Sequence, residues 1–207
     1  TESVWALLGP ELCERIGAQG VEAVAQKSEG WPAAVRMAQI ILATAQDARA
    51  ALAGFSGSDA TLSQLLNRQV LSGFPEPVRR FLFCLAQLRT FCVELCSHAI
   101  GAAQAHRHLQ YLIERNVFVI PLDRNRRWYR LHGLFRDHLL REASTSLGMR
   151  RRKEVLTRAA RWCEKHERWQ DAVDYALATG TIALAVEIIE RIAPAFVREG
   201  GAVRQYI

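Results

Sequence analysis

His132 stands between an aromatic run, Trp128 to Leu131, and an apolar run, Leu134 to Leu140. An imidazole changes charge and hydrogen bonding near neutral pH and can donate to a phosphate oxygen, which suits a sensor. A satisfied structural histidine at a strand-to-helix junction would have the same type. The second group is Gly30-Trp31-Pro32. Proline fits the first position of a helix, and the amide-rich start of a helix attracts phosphate. A tight turn around a buried tryptophan would use the same three residues. Cys92, Cys96 and His98 form a C-x3-C-x-H cluster with His106 and His108 nearby. The usual C-x2-C knuckle of a zinc site is missing, so these read as buried thiols and no metal is expected. Cys163 with His166, or Glu164 with Asp171, are scattered pairs without a supporting loop, and no catalytic role is expected for them.

Basic residues cluster twice, at Arg124, Arg126, Arg127 and Arg130 and again at Arg150, Arg151, Arg152 and Lys153, within a formal net charge of +6. Such runs face nucleic acid, an acidic partner or phosphate, and they also occur as solvated surface. The 207 residues are 50% apolar, enough to bury a core. No run of about 18 uncharged apolar residues occurs, and Thr1 to Trp5 lack the features of a signal peptide, so the reading is a soluble, cytoplasmic protein without a membrane partner. Thr1 begins in mid-helix sequence, which suggests a piece of something longer. Five cysteines, an odd number spread among apolar neighbours, fit reduced thiols better than disulfides.

The elements that position these groups are mainly helical. Pro32 opens a helix predicted to run unbroken from Ala33 to Leu52, and Phe55-Ser56-Gly57-Ser58-Asp59 reads as a linker. Leu62, Leu65, Leu66 and Val70 form a stripe ending near Gly73, and Pro75 and Pro77 introduce the next one, Val78, Phe81, Leu82 and Leu85. Helices around Val93 to Ile100 and Leu109 to Ile113 follow. The period then changes: Phe118 to Leu122 and Trp128 to Leu131 flank the polar turn Asp123 to Arg127, which signals a hairpin. Three helices and a hairpin is the order of a winged helix. From Arg150 onward, short amphipathic helices with turns such as Ala178-Thr179-Gly180 suggest the antiparallel pairs of a tetratricopeptide-like (TPR-like) solenoid that continues past Ile207. The fold class is thus mainly α: a helical lid segment over 1–58, a winged helix with a small β-hairpin over 59–146, and the start of a TPR-like α-solenoid over 147–207.

Three stretches together resemble the MalT-like, ATP-dependent LuxR-family regulators, a branch of the STAND signalling ATPases. They are Glu29 to Ala38 around Gly-Trp-Pro; Asn116 to Asp123 with Trp128 to Leu140; and Arg158 to Trp162 through Asp171 to Leu177. The resemblance implies a regulatory portion of an ATP/ADP-switched transcriptional regulator that couples nucleotide state to inducer or partner sensing. It assigns nucleotide binding to Gly30, Trp31, Pro32 and His132, with Pro32 against the adenine and His132 toward the β-phosphate. After His132 relatives often have a second histidine or an aspartate, and here there is Gly133. The implied partners are the protein's own upstream ATPase domain, an inducer or regulatory protein on the helical repeats, and DNA through a separate C-terminal domain. The full-length protein would self-associate on ligand binding. No Gly-x-x-x-x-Gly-Lys-Ser/Thr loop is present, so ATP or ADP belongs to the full-length protein, and the fragment is expected to bind none alone and to be no enzyme. A winged-helix DNA-binding module and a TPR-like interaction scaffold are the alternatives.

Overall fold

The computed structural model describes residues 2–55, 60–101, 105–114 and 118–198. The expected linker at 56–59, the start of the second matching stretch at 116–117 and the solenoid continuation at 199–207 lie outside the described residues, as do the side chains of Leu62 and Leu65. The first unit contains α1 (Glu2–Leu8), α2 (Pro10–Ser28), α3 (Pro32–Thr44) and α4 (Ala48–Gly54). Gly17, at φ 71° and ψ 174°, breaks the axis of α2. Leu12, Ile16, Val21 and Val24 of α2 are buried in the core with Leu8 of α1 and Val35, Ala38 and Leu42 of α3, and the three helices pack on one another.

The single helix expected from Ala33 to Leu52 is instead two, and the reason is Asp47. Ala45 turns extended after α3, and the Asp47 carboxylate accepts from Arg49 N at 2.9 Å and Ala50 N at 3.0 Å, starting α4. An apolar spacing pattern does not register a capping aspartate. The expected linker also begins too early, because Phe55 is fully buried and closes the first core.

The second unit runs through α5 (Ala60–Gln69), a 3-10 turn at Leu71–Gly73, α6 (Glu76–Leu85), α7 (Val93–Ile100), α8 (Ala105–Glu114), β1 (Val119–Pro121), β2 (Tyr129–Leu131) and α9 (Gly133–Ser146). Pro75 occupies the N-cap of α6, and Val78, Phe81, Leu82 and Leu85 form the buried face read from the sequence. β1 and β2 pair antiparallel with Ile120 opposite Arg130. The turn between them is built by Asp123, whose carboxylate accepts from Arg127 N at 2.9 Å and Trp128 N at 3.0 Å. A third rung was not legible in the sequence: Phe91 bridges Tyr129, with both backbone hydrogen bonds at 2.8 Å.

The last elements are α10 (Met149–Lys165), α11 (Trp169–Ala178) and α12 (Ile182–Arg198), with α11 packed against both of the others. α10 also lies along α7. Tyr175 on α11 accepts from Arg89 N at 3.0 Å and donates to Thr90 O at 3.3 Å, while Arg89 pairs with Asp174 at 2.7 Å. The Arg168 guanidinium sits 3.8 Å above the Trp128 ring, and Trp128 meets Trp162 edge-on at 6.2 Å. Helices α10 and α11 therefore grip the hairpin and the rung beside it. Ile182, Val186 and Ile189 leave one side of α12 exposed. Among the described residues, no helix is long and apolar enough to cross a membrane.

Candidate functional site

The site lies where the end of α2 meets the start of α9. Glu29 ends α2 in the left-handed region at φ 47°, its N–H bonded to Gln26 O, and Gly30 follows at φ 77°. Two successive positive φ values turn the chain sharply, and glycine at the second removes the Cβ penalty there. Trp31 is extended and Pro32 opens α3 at its first position. On the other side, β2 delivers Arg130 and then His132, which is the N-cap of α9.

His132 is 3% exposed. Its Nε2 lies 2.7 Å from Ser28 O, a carbonyl that also accepts from Trp31 N at 2.8 Å. Because a carbonyl can only accept, Nε2 carries the proton. Nδ1 has no hydrogen-bond partner. The ring meets Trp31 edge-on at 5.5 Å, and Trp31 in turn meets Phe118 edge-on at 4.5 Å. Phe118 stacks on Phe135 at 4.2 Å, and its carbonyl accepts from His132 N at 2.8 Å. These rings form an apolar wall that holds the imidazole in place.

Charge is concentrated at the rim. Arg130 Nη1 donates to Glu29 Oε2 at 2.7 Å, and the same oxygen is 3.9 Å from His132 Nε2. Both partners are partly exposed, at 33% for Arg130 and 24% for Glu29, so the pair contributes about 0.2 to 1 kcal/mol. His132 gives α9 no side-chain cap, which leaves the positive end of that helix beside the Glu29 carboxylate. A Cβ at Gly133 would come within 2.9 Å of Glu29 Oε1. The glycine after the histidine leaves room for the Glu29 carboxylate in this position, and a larger residue would require the end of that side chain to shift.

The residues expected from the sequence are only partly brought together. Trp31 and His132, 101 positions apart, are in contact; Gly30 supplies the turn; Pro32 is exposed at the start of α3, beyond the ring cluster. Sequence reasoning missed Ser28, Glu29, Arg130 and Gly133 as participants. The glycine was visible as a departure, but nothing local links it to residue 29. The C-x3-C-x-H cluster does not converge on a site: Cys92 accepts from Leu95 N as the N-cap of α7, Cys96 is fully buried, and His98 is exposed. Burial pushes the Cys92 thiol up to about 11 and that of Cys163 up to about 12, so both stay protonated at neutral pH. Among the described residues no group of three metal-binding side chains occurs.

A helical unit with a short hairpin, its histidine clasped to a preceding helical segment, defines a winged helix fused to helical neighbours on both sides. The family model described as the MalT winged helix domain matches residues 67–154, and this supports a MalT-like, regulator-type protein. The chain is also similar to proteins named serine/threonine-protein kinase PknK from Mycobacterium tuberculosis (strain ATCC 25618 / H37Rv) and Mycobacterium bovis (strain ATCC BAA-935 / AF2122/97), at 30% identity over 191 residues in each case. Those alignments cover 92% of this chain, which spans 17% of the length of these relatives.

Proposed function

We propose that this chain is the regulatory portion of an ATP/ADP-switched signalling protein, and that the seam between residues 28–32 and 130–133 is where nucleotide state is felt. The observation that carries this reading is the His132 Nε2 to Ser28 O hydrogen bond of 2.7 Å, which ties the first residue of the α9 junction to the segment opening α3. A nucleotide held by an adjoining ATPase module, with its base on exposed Pro32 and its phosphates near Arg130 and His132, would bridge the same two segments. Retention of the nucleotide then keeps the seam closed, and its exchange releases it. Helices α10 to α12, as the first of a TPR-like array, take an inducer or regulatory protein. Output belongs to other parts of the polypeptide: a LuxR-type DNA-binding domain in a transcriptional regulator, or a kinase domain in a protein organised as the name PknK suggests.

The test is His132→Ala in the full-length protein, followed by the rate at which bound ADP is lost. Loss of the neutral hydrogen bond from His132 Nε2–H to Ser28 O, about 0.5 to 1.5 kcal/mol, corresponds to a few-fold to about tenfold faster release. Unchanged retention refutes the assignment. Arg124, Arg126 and Arg127, all exposed at the hairpin turn, favour a second reading as a wing on DNA phosphates. Duplex binding by this chain with a steep salt slope, about 0.9 per phosphate contacted, would move that reading to first place.

A further inference from the structure

We infer that the Arg136 guanidinium, at the joint between the winged helix and the helical array, receives one carboxylate from outside this chain, carried by a small organic acid or by an acidic side chain of a partner. The inference is independent of the seam reading above. Arg136 lies one turn past His132 on α9, its N–H donating to His132 O at 2.8 Å. The residue is partly buried, and its Nε is wholly enclosed without a hydrogen-bond partner. Among the described residues Arg89 and Arg130 each hold an acid at 2.7 Å, whereas Arg136 has none within ion-pair distance. The groups near enough to act on its charge are Asp137, Tyr175 and Arg89. Asp137 is exposed and next to it on the helix, the buried Tyr175 phenol is neutral, and Arg89 adds positive charge while its own pairing is taken by Asp174.

A guanidinium drawn partly out of water with no counter-charge costs stability. Burial accordingly lowers the Arg136 pKa, although an arginine stays charged at neutral pH. The stem of an arginine can serve by covering apolar surface, but a methionine would cover it without enclosing a donor. The charged head therefore requires its own explanation. Nε and the adjoining Nη form a planar fork that matches the two oxygens of a carboxylate. One unpaired positive charge suits one negative charge, and a doubly charged phosphate would call for a second free cation where Arg89 is already engaged. Arg89 N and the Tyr175 hydroxyl, bonded at 3.0 Å, tie α11 to the winged helix beside this place. A carboxylate on Arg136 thus acts at that tie, on the same helix that begins at His132.

The experiment is thermal unfolding of the 207-residue chain and of Arg136→Met, Arg136→Gln and Arg152→Gln, at neutral pH and one ionic strength, in sodium chloride, sodium succinate, sodium phosphate or a hexaglutamate peptide. Arg152 is exposed on α10 and controls for the loss of a positive charge. In chloride, at least one of the two Arg136 variants is expected to melt no lower than the parent, because each removes a desolvated charge that nothing opposes. Succinate or the peptide is expected to raise the midpoint of the parent and of Arg152→Gln saturably by about 2 to 4 °C, with phosphate giving less and neither Arg136 variant responding. A rise with succinate identifies a small acid as sufficient, and a rise confined to the peptide identifies an acidic segment of a partner. Both Arg136 variants melting more than about 2 °C below the parent in chloride would show that the charge is compensated within the chain and would overturn the inference. So would a response that survives in the Arg136 variants, one that is lost in Arg152→Gln, a larger shift with phosphate, or no shift with either carboxylate.

Discussion

Replacing Tyr175 with phenylalanine removes one oxygen atom and should weaken the joint between the helical array and the winged helix. The ring is 3% exposed and keeps its packing, so the loss is confined to the hydroxyl. That hydroxyl accepts from Arg89 N at 3.0 Å and donates to Thr90 O at 3.3 Å, 86 and 85 positions away. Burial pushes the phenol well above its ordinary value, so the proton donated to Thr90 stays in place at neutral pH. Without the oxygen, an N–H and a carbonyl are left facing a phenyl edge. Each lost bond is worth about 0.5 to 1.5 kcal/mol, and each unsatisfied group costs about 1 to 3 kcal/mol where water cannot reach it. The Arg89 side chain is exposed, so water relieves part of this and the net loss is about 2 kcal/mol. Urea unfolding followed by circular dichroism and tryptophan fluorescence would measure it, and hydrogen exchange at the Arg89 amide would locate it. A loss below about 0.5 kcal/mol with unaltered exchange at Arg89 would show that the phenol is not holding the joint.

Other expectations follow from the same structure. Asp47→Ala removes the cap that starts α4 and should cost about 1 kcal/mol in thermal or urea unfolding; a negligible change would mean that packing of Phe55 and Leu52 alone fixes the break. Gly133→Ala gains up to about 1 kcal/mol of helix propensity but requires the end of the Glu29 side chain to shift, so it should stabilise a Glu29→Ala background more than the parent; equal gains in the two backgrounds would separate the residues. His138 is fully buried between Ser63 and Asn67, and burial holds its pKa below the ordinary 6.5. The unfolded chain therefore takes up the proton first, so this contribution to stability is complete above about 6.5 and is lost as the pH falls from there through the folded-state value. Melting temperature should decline more steeply on acidification for the parent than for His138→Gln, and parallel slopes would contradict that account.

Much of the fold was legible because its stripes are strong. Val78, Phe81, Leu82 and Leu85 announce α6 by spacing alone, and the switch to Phe118 to Leu122 and Trp128 to Leu131 marks the hairpin at residues 119–121 and 129–131. Where a polar side chain decides the outcome, the pattern fails: Asp47 divides a run that reads as one helix, and Phe55 is core although glycine and serine follow it. The site was legible in halves. Trp31 and His132 could be singled out by type and by resemblance, but their contact is tertiary. Glu29 and Arg130 look like ordinary surface charges until the fold places them 2.7 Å apart. No local rule links a helix-ending glutamate with a glycine 104 positions later, which is why Gly133 read only as a departure.

Strand β2 is only three residues long, yet it is held at both ends by different parts of the molecule. Trp128, just before it, is pinned by Arg168 and Trp162, while Arg130 and His132 are fastened to Glu29 and Ser28. From residue 128 to residue 132 an extended chain covers about 13 Å, and its middle is tied laterally to Phe91. A tug on α10 or α11 has almost no slack to take up before it arrives at the far fastening, so the hairpin works as a short stiff link between the two.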